Sequence, residues 1–158
     1  MTRRHHNTYV VALRSLAVFL VLVALAPVSR ADAPRPAFTE RSIKGRWGFS
    51  GEFGMIVPPA AHTQPVPTAA LGTVVFDGRG GCLVTTTINI NGTIVGPLAS
   101  NTCAYSVNAD GTGTSVAEFP GTPFDGPSTV AFVIVDHNRE IRFINTNSIV
   151  AGFTAKRQ

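Results

Sequence analysis

The strongest constraint on this chain is a two-residue rhythm punctuated by Asp-Gly and Asn-Gly. Residues 71–93, LGTVVFDGRGGCLVTTTININGT, hold two apolar runs separated by Asp77-Gly78 and closed by Asn91-Gly92. Alternation at period two marks an extended strand with one buried face. Asp-Gly and Asn-Gly suit the positive-φ turns that join antiparallel neighbours. The device returns at Asn108–Gly111 and at Asp136–Asn138. No window after residue 33 carries a helical period.

Read along its length, the chain predicts strands at 45–55, 71–76, 82–90, 100–107, 112–119, 129–135, 140–146 and 149–155. In the first, Trp47, Phe49, Phe53 and Met55 fall on one face and Arg46, Gly48, Ser50 and Glu52 on the other. Gly51 stands on the aromatic side, where a missing side chain allows a bend or a close neighbour. The strand at 129–135 is apolar on both faces and is expected to be the most covered. Residues 56–68 hold four prolines and read as the longest loop of the body, with His62 in it. About eight short strands with short links imply an all-β, up-and-down antiparallel barrel; a β-sandwich is the alternative. Pairing the first strand with the last removes both exposed edges.

The first 33 residues read differently. Arg3, Arg4 and Arg14 precede an apolar run at 16–26, then Pro27 and small residues up to Ala31-Asp32-Ala33. That is the pattern of a signal peptide, and the run is short for a membrane span. Export to the periplasm or the cell exterior is the expectation, with 34–44 a flexible lead-in and 45–158 the barrel domain. Setting aside Arg3, Arg4, Arg14, Arg30 and Asp32 turns thirteen Lys/Arg against nine Asp/Glu into nine against eight. The body is then nearly neutral, and it has no basic stripe of the kind that binds nucleic acid. In an oxidising compartment Cys82 and Cys103 are expected to pair, facing each other across a hairpin turned at 91–96.

Chemistry is sparse. His62 and His137 lie in a loop and a turn, with no nucleophile fixed beside either. Asp77, Asp110 and Asp136 stand where a turn favours Asp for its backbone-bonding side chain. The chain suggests no catalytic residue, metal site or cofactor. The candidate ligand-binding set is Trp47, Phe49, Phe53, Tyr105, Phe132 and Phe143, with His62 at the mouth. It lines a pocket for a small apolar molecule or it simply fills the core, which a body of this size needs in order to fold.

Gly45-Arg46-Trp47 at the head of the first strand resembles the G-x-W signature of lipocalins and related calycins. The resemblance implies a tryptophan closing the barrel floor beneath an arginine from near the chain end, Arg142 or Arg157. It also implies a lid at 56–68, although the T-D-Y motif and a C-terminal helix are missing. More of the chain resembles a group of small exported bacterial β-barrel proteins with no assigned function. That likeness rests on Ile43-Lys44-Gly45, Phe76-Asp77-Gly78, Asn89-Ile90-Asn91-Gly92-Thr93, Asn108-Ala109-Asp110-Gly111-Thr112-Gly113, Glu140-Ile141-Arg142-Phe143-Ile144 and Ala155-Lys156-Arg157-Gln158. In shape alone the chain is similar to allene oxide cyclase and dirigent barrels, which implies an isomerase-like alternative. The other alternative is a structural or protein-interaction module of the cell envelope.

Overall fold

The computed structural model describes residues 37–58, 63–120 and 126–158; the expected signal peptide, and His62, lie outside them. The fold is all-β and barrel-like. Nine strands follow in order: β1 (Gly45–Ile56), β2 (Val66–Phe76), β3 (Cys82–Ile90), β4 (Thr93–Ala99), β5 (Thr102–Val107), β6 (Thr112–Glu118), β7 (Ser128–Val135), β8 (Glu140–Asn145) and β9 (Ile149–Arg157). They form one antiparallel sheet in the order β4-β3-β2-β1-β9-β8-β7-β6-β5 rather than the two layers of a sandwich. First and last strands are neighbours, as the edge argument requires: Trp47 pairs with Arg157 and Phe49 with Ala155.

The ninth strand is β4, where a hairpin corner is expected from the sequence. Pro97 interrupts its pattern, but β4 ends the sheet, where a missing N–H leaves no ladder position empty. The hairpin partner of β3 is therefore β4, with Ile90 opposite Thr93. Cys103 meets Cys82 from β5 instead. An isolated bridge joins Gly81 to Ala104, and the Tyr105 amide donates to the Gly80 carbonyl at 2.8 Å. In that register Cys82 and Cys103 stand opposite one another, and they form a disulfide with Cα atoms 4.9 Å apart.

Two further expectations need correction. Within the segment before β1, Glu40–Ile43 is packed: it makes a 3-10 turn, and Ile43 is fully buried. Its carbonyl accepts the Trp47 indole N–H at 2.8 Å, so the turn seats the tryptophan. Nor is β7 covered on both faces. Phe132 and Ile134 are buried, but Val133 on the outer side is exposed because, among the described residues, no second layer lies over it.

Alternation inside and outside the sheet otherwise follows the sequence. Val84, Thr86, Ile88 and Ile90 of β3, Tyr105 of β5 and Ile141 of β8 point inward with their period-two neighbours. The inward side chains form two clusters. The larger gathers Ile43, Trp47, Phe76, Tyr105, Phe132 and Ile141 at the end where β1 begins, and the smaller centres on Ile56 and Ile90 at the other end.

Candidate functional site

Between the two clusters lies a partly open cavity of about 140 Å³. Val74, Phe76, Phe132 and Ile141 bound it from the larger cluster, and Ile88 and Ile149 from the smaller. The void exists because several inward positions are small. Gly51, Gly54, Ala70, Ala117 and Ala151 all line it, where long aliphatic residues would have filled it. Gly51 admits an aromatic neighbour as well, since a Cβ there would collide with the Phe153 ring. Phe153 stacks on Phe143 at 5.0 Å between centroids, and Phe49 meets both rings edge-on. Three phenylalanines from β1, β8 and β9 thus make one aromatic wall.

The sequence-derived candidates divide. Phe49, Phe132 and Phe143 line the cavity together. Trp47 and Tyr105 belong to the floor beneath it. Trp47 is fully buried, and the Arg157 guanidinium lies 4.7 Å from the centre of its ring. Of the two arginines expected as partners, Arg157 is the one that sits there. Its Nη1 and Nη2 donate to the Lys44 and Ser42 carbonyls at 2.8 and 2.9 Å, and its Nε to the Asn138 carbonyl at 3.3 Å. Arg142 instead points outward, onto Glu140. The floor therefore gains a charge-assisted clamp across the ends of β1 and β9.

Tyr105 is held on both sides of its hydroxyl. It donates to the Glu40 carbonyl at 3.1 Å and accepts from the Gly78 amide at 3.0 Å. Burial, opposed in part by those amides, raises its pKa above the ordinary tyrosine value. Its polar capacity is spent on the turn at Asp77–Gly81 and on the 3-10 turn.

Phe53 lines the cavity only from its rim. The register of β1 shifts between Gly51 and Gly54 against both neighbours, so a bulge at residues 52 and 53 reverses the parity of the strand. Gly54 and Ile56 take the inward positions, and Phe53 is left 69% exposed at the rim. Missed by sequence reasoning were Phe153, the small residues that open the void, and the Ser128–Asn145 pair in its wall. The inward parity of 149, 151, 153 and 155 in the last strand would have found Phe153.

Polar groups on the wall are few. The Thr68 hydroxyl donates to the Asn89 carbonyl and the Thr86 hydroxyl to that of Leu71, so each is satisfied inside the sheet. Asn147 uses both ends of its amide, donating to Pro127 O and accepting from the Ile149 amide. Outside the cavity, the aspartates at the turns act as structural residues. Asp77 Oδ1 accepts from the amides of Arg79 and Gly81, and Asp110 Oδ1 from the Thr112 hydroxyl and amide. These bonds hold both carboxyls below their ordinary pKa: chiefly the Arg79 amide for Asp77 and the Thr112 hydroxyl for Asp110. Among the described residues no group of three or more His, Cys, Asp or Glu could hold a metal ion.

Compared with known proteins, the chain matches no family model, no curated protein and no solved structure.

Proposed function

We propose that this protein is a non-catalytic, exported barrel that takes up one small, largely apolar molecule in its interior. The observation that carries the reading is the cavity of about 140 Å³ between the two core clusters. A solidly packed domain leaves few voids larger than a water molecule, and each costs stability. An apolar cavity of about 150 Å³ stays dry and accommodates a single benzene-sized ring.

In this reading the sheet closes into a ring of eight strands, β3-β2-β1-β9-β8-β7-β6-β5, with β4 as an appendage on β3. The Gly81–Ala104 bridge and the disulfide between β3 and β5 support that closure. The disulfide also supports an oxidising destination, in keeping with the leader-like residues 1–33. Arg157 over Trp47 supports the likeness to lipocalins and their relatives. The test is mass spectrometry of organic extracts of protein purified from its native source, with titration of a hydrophobic fluorescent dye. A stoichiometric small molecule, displaced by the dye with saturation, is expected. A clean extract and no saturable dye binding overturn the reading.

A second reading, an interaction module of the cell envelope, is favoured by the outer surface. Phe53, Leu71, Ile144 and Val150 are all more than half exposed. Copurification of a stoichiometric protein partner, lost on Phe53→Ser with Ile144→Ser, would favour it over the first.

A further inference from the structure

The cavity wall contains one polar pair whose hydrogen-bonding capacity is incomplete. Asn145, at the inward end of β8, donates through Nδ2 to the Ser128 hydroxyl oxygen of β7 at 3.2 Å. Its Oδ1 is buried and, among the described residues, has no hydrogen-bond partner. Ser128 accepts in that bond and has no acceptor for its own hydrogen among the described residues. Both residues line the cavity. A buried carbonyl oxygen left without a donor forfeits its hydration without compensation, so native structures rarely retain one without a use. The other polar groups discussed on the wall, Thr68, Thr86 and Asn147, are already satisfied.

We propose that Asn145 and Ser128 form a polar subsite for a ligand hydroxyl, so that the molecule taken up is a compact ring bearing one alcohol or phenol group. A hydroxyl supplies what the pair lacks: its hydrogen goes to Asn145 Oδ1 and its oxygen accepts from Ser128. The amide χ2 torsion is broad, so the Asn145 amide can adjust to meet a ligand hydroxyl. The ring then lies against the wall made by Phe49, Phe143 and Phe153. This inference rests on the cavity reading above and sharpens it.

Phenol and toluene are near-isosteres that differ in the hydroxyl, and they serve as the probes. Their binding to the full chain is measured by calorimetry or by ligand-observed NMR. In a purely apolar cavity phenol binds less well than toluene, because its hydroxyl loses water without compensation. With the subsite in place, phenol binds at least as tightly as toluene. Asn145→Leu then weakens phenol about tenfold and leaves toluene unchanged or tighter. Ser128→Ala shifts the same ratio by a smaller amount, and it decides the matter if Asn145→Leu fails to fold. Toluene binding with weaker phenol binding, or a ratio indifferent to both substitutions, overturns the subsite and leaves the cavity reading intact. Binding of neither ring, at any concentration that saturates a hydrophobic dye, overturns the subsite on size. Failure of both the rings and the dye overturns the cavity reading with it.

Discussion

Replacing Cys82 and Cys103 together by alanine removes the only covalent tie between β3 and β5. The bridge spans a sequence separation of 21 residues. The chain-entropy relation for a loop of that size gives about 11 cal/mol/K, or about 3 kcal/mol at 25 °C. Weaker ties stay behind: the Gly81–Ala104 bridge, which includes the Tyr105 amide on Gly80 O, the Ser100 amide on Val84 O, and the Val84 amide on the Ser100 hydroxyl. The double variant therefore folds, but with less to spare. Urea unfolding is the natural assay, because Trp47 is the single tryptophan of the chain and is fully buried. With a slope of about 1–3 kcal/mol/M, the midpoint falls by about 1–3 M. Native-state hydrogen exchange adds the location, since the Tyr105 and Val84 amides should lose more protection than those in the β1–β9 ladder. A loss below about 1 kcal/mol, or uniform deprotection of the sheet, would refute the view that this junction depends on the sulfur bridge.

Three other predictions use the same fluorescence readout. Phe53→Ser is expected to cost less than about 0.5 kcal/mol, the usual range for a surface change; a loss of 3 kcal/mol or more would mean the ring is buried and the β1 bulge is wrongly placed. Arg157→Ala removes the cation over Trp47 and three hydrogen bonds to backbone carbonyls, for a loss of about 2 kcal/mol and a red-shifted emission. Arg157→Lys recovers only part of that, because an ammonium lacks the planar fork, and full recovery would show that charge alone matters. Asp77 and Asp110, with carboxyl pKa values lowered in the folded state, add stability above about pH 4 that disappears as pH falls through their folded values. Tyr105, raised, adds stability below about pH 10 that disappears as pH rises through its folded value. Urea midpoints measured from pH 2 to 12 should fall at both ends; a profile level across the acid limb would contradict the turn assignments.

Most of the architecture is written in side-chain parity, and the parts that escaped are those where parity is broken. In β3 and β8 each inward residue follows from simple alternation, because nothing interrupts the pleat. In β1 the bulge after Gly51 inserts a residue, and Phe53 exchanges sides with its successor. A single sequence does not mark that insertion, since Glu52-Phe53 continues an apparently regular pattern. Two strand segments were hidden by proline. Pro67 lies inside β2 and uses only its carbonyl, which accepts the Asn91 amide at 2.9 Å. Pro97 lies in the terminal strand of the sheet. The pairing of Cys82 with Cys103 was legible from the even cysteine count and an expected export, but the strand that carries Cys103 depends on a long-range register that local patterns do not encode. The aromatic floor was legible. The void was not, because glycine and alanine at inward positions read equally well as tight packing.

The placement of β1 beside β9 has a consequence for how the chain acquires its structure. The clamp on the floor joins residues 113 and 115 positions apart, Lys44 and Ser42 with Arg157. The β1–β2 hairpin closes over a short span of sequence, but the other flank of β1 stays unsatisfied until β9 docks against it. Contacts of such long reach make assembly slow and leave a template for mispairing open in the meantime. Trp47 is thus sealed from water only when β9 brings Arg157 over it.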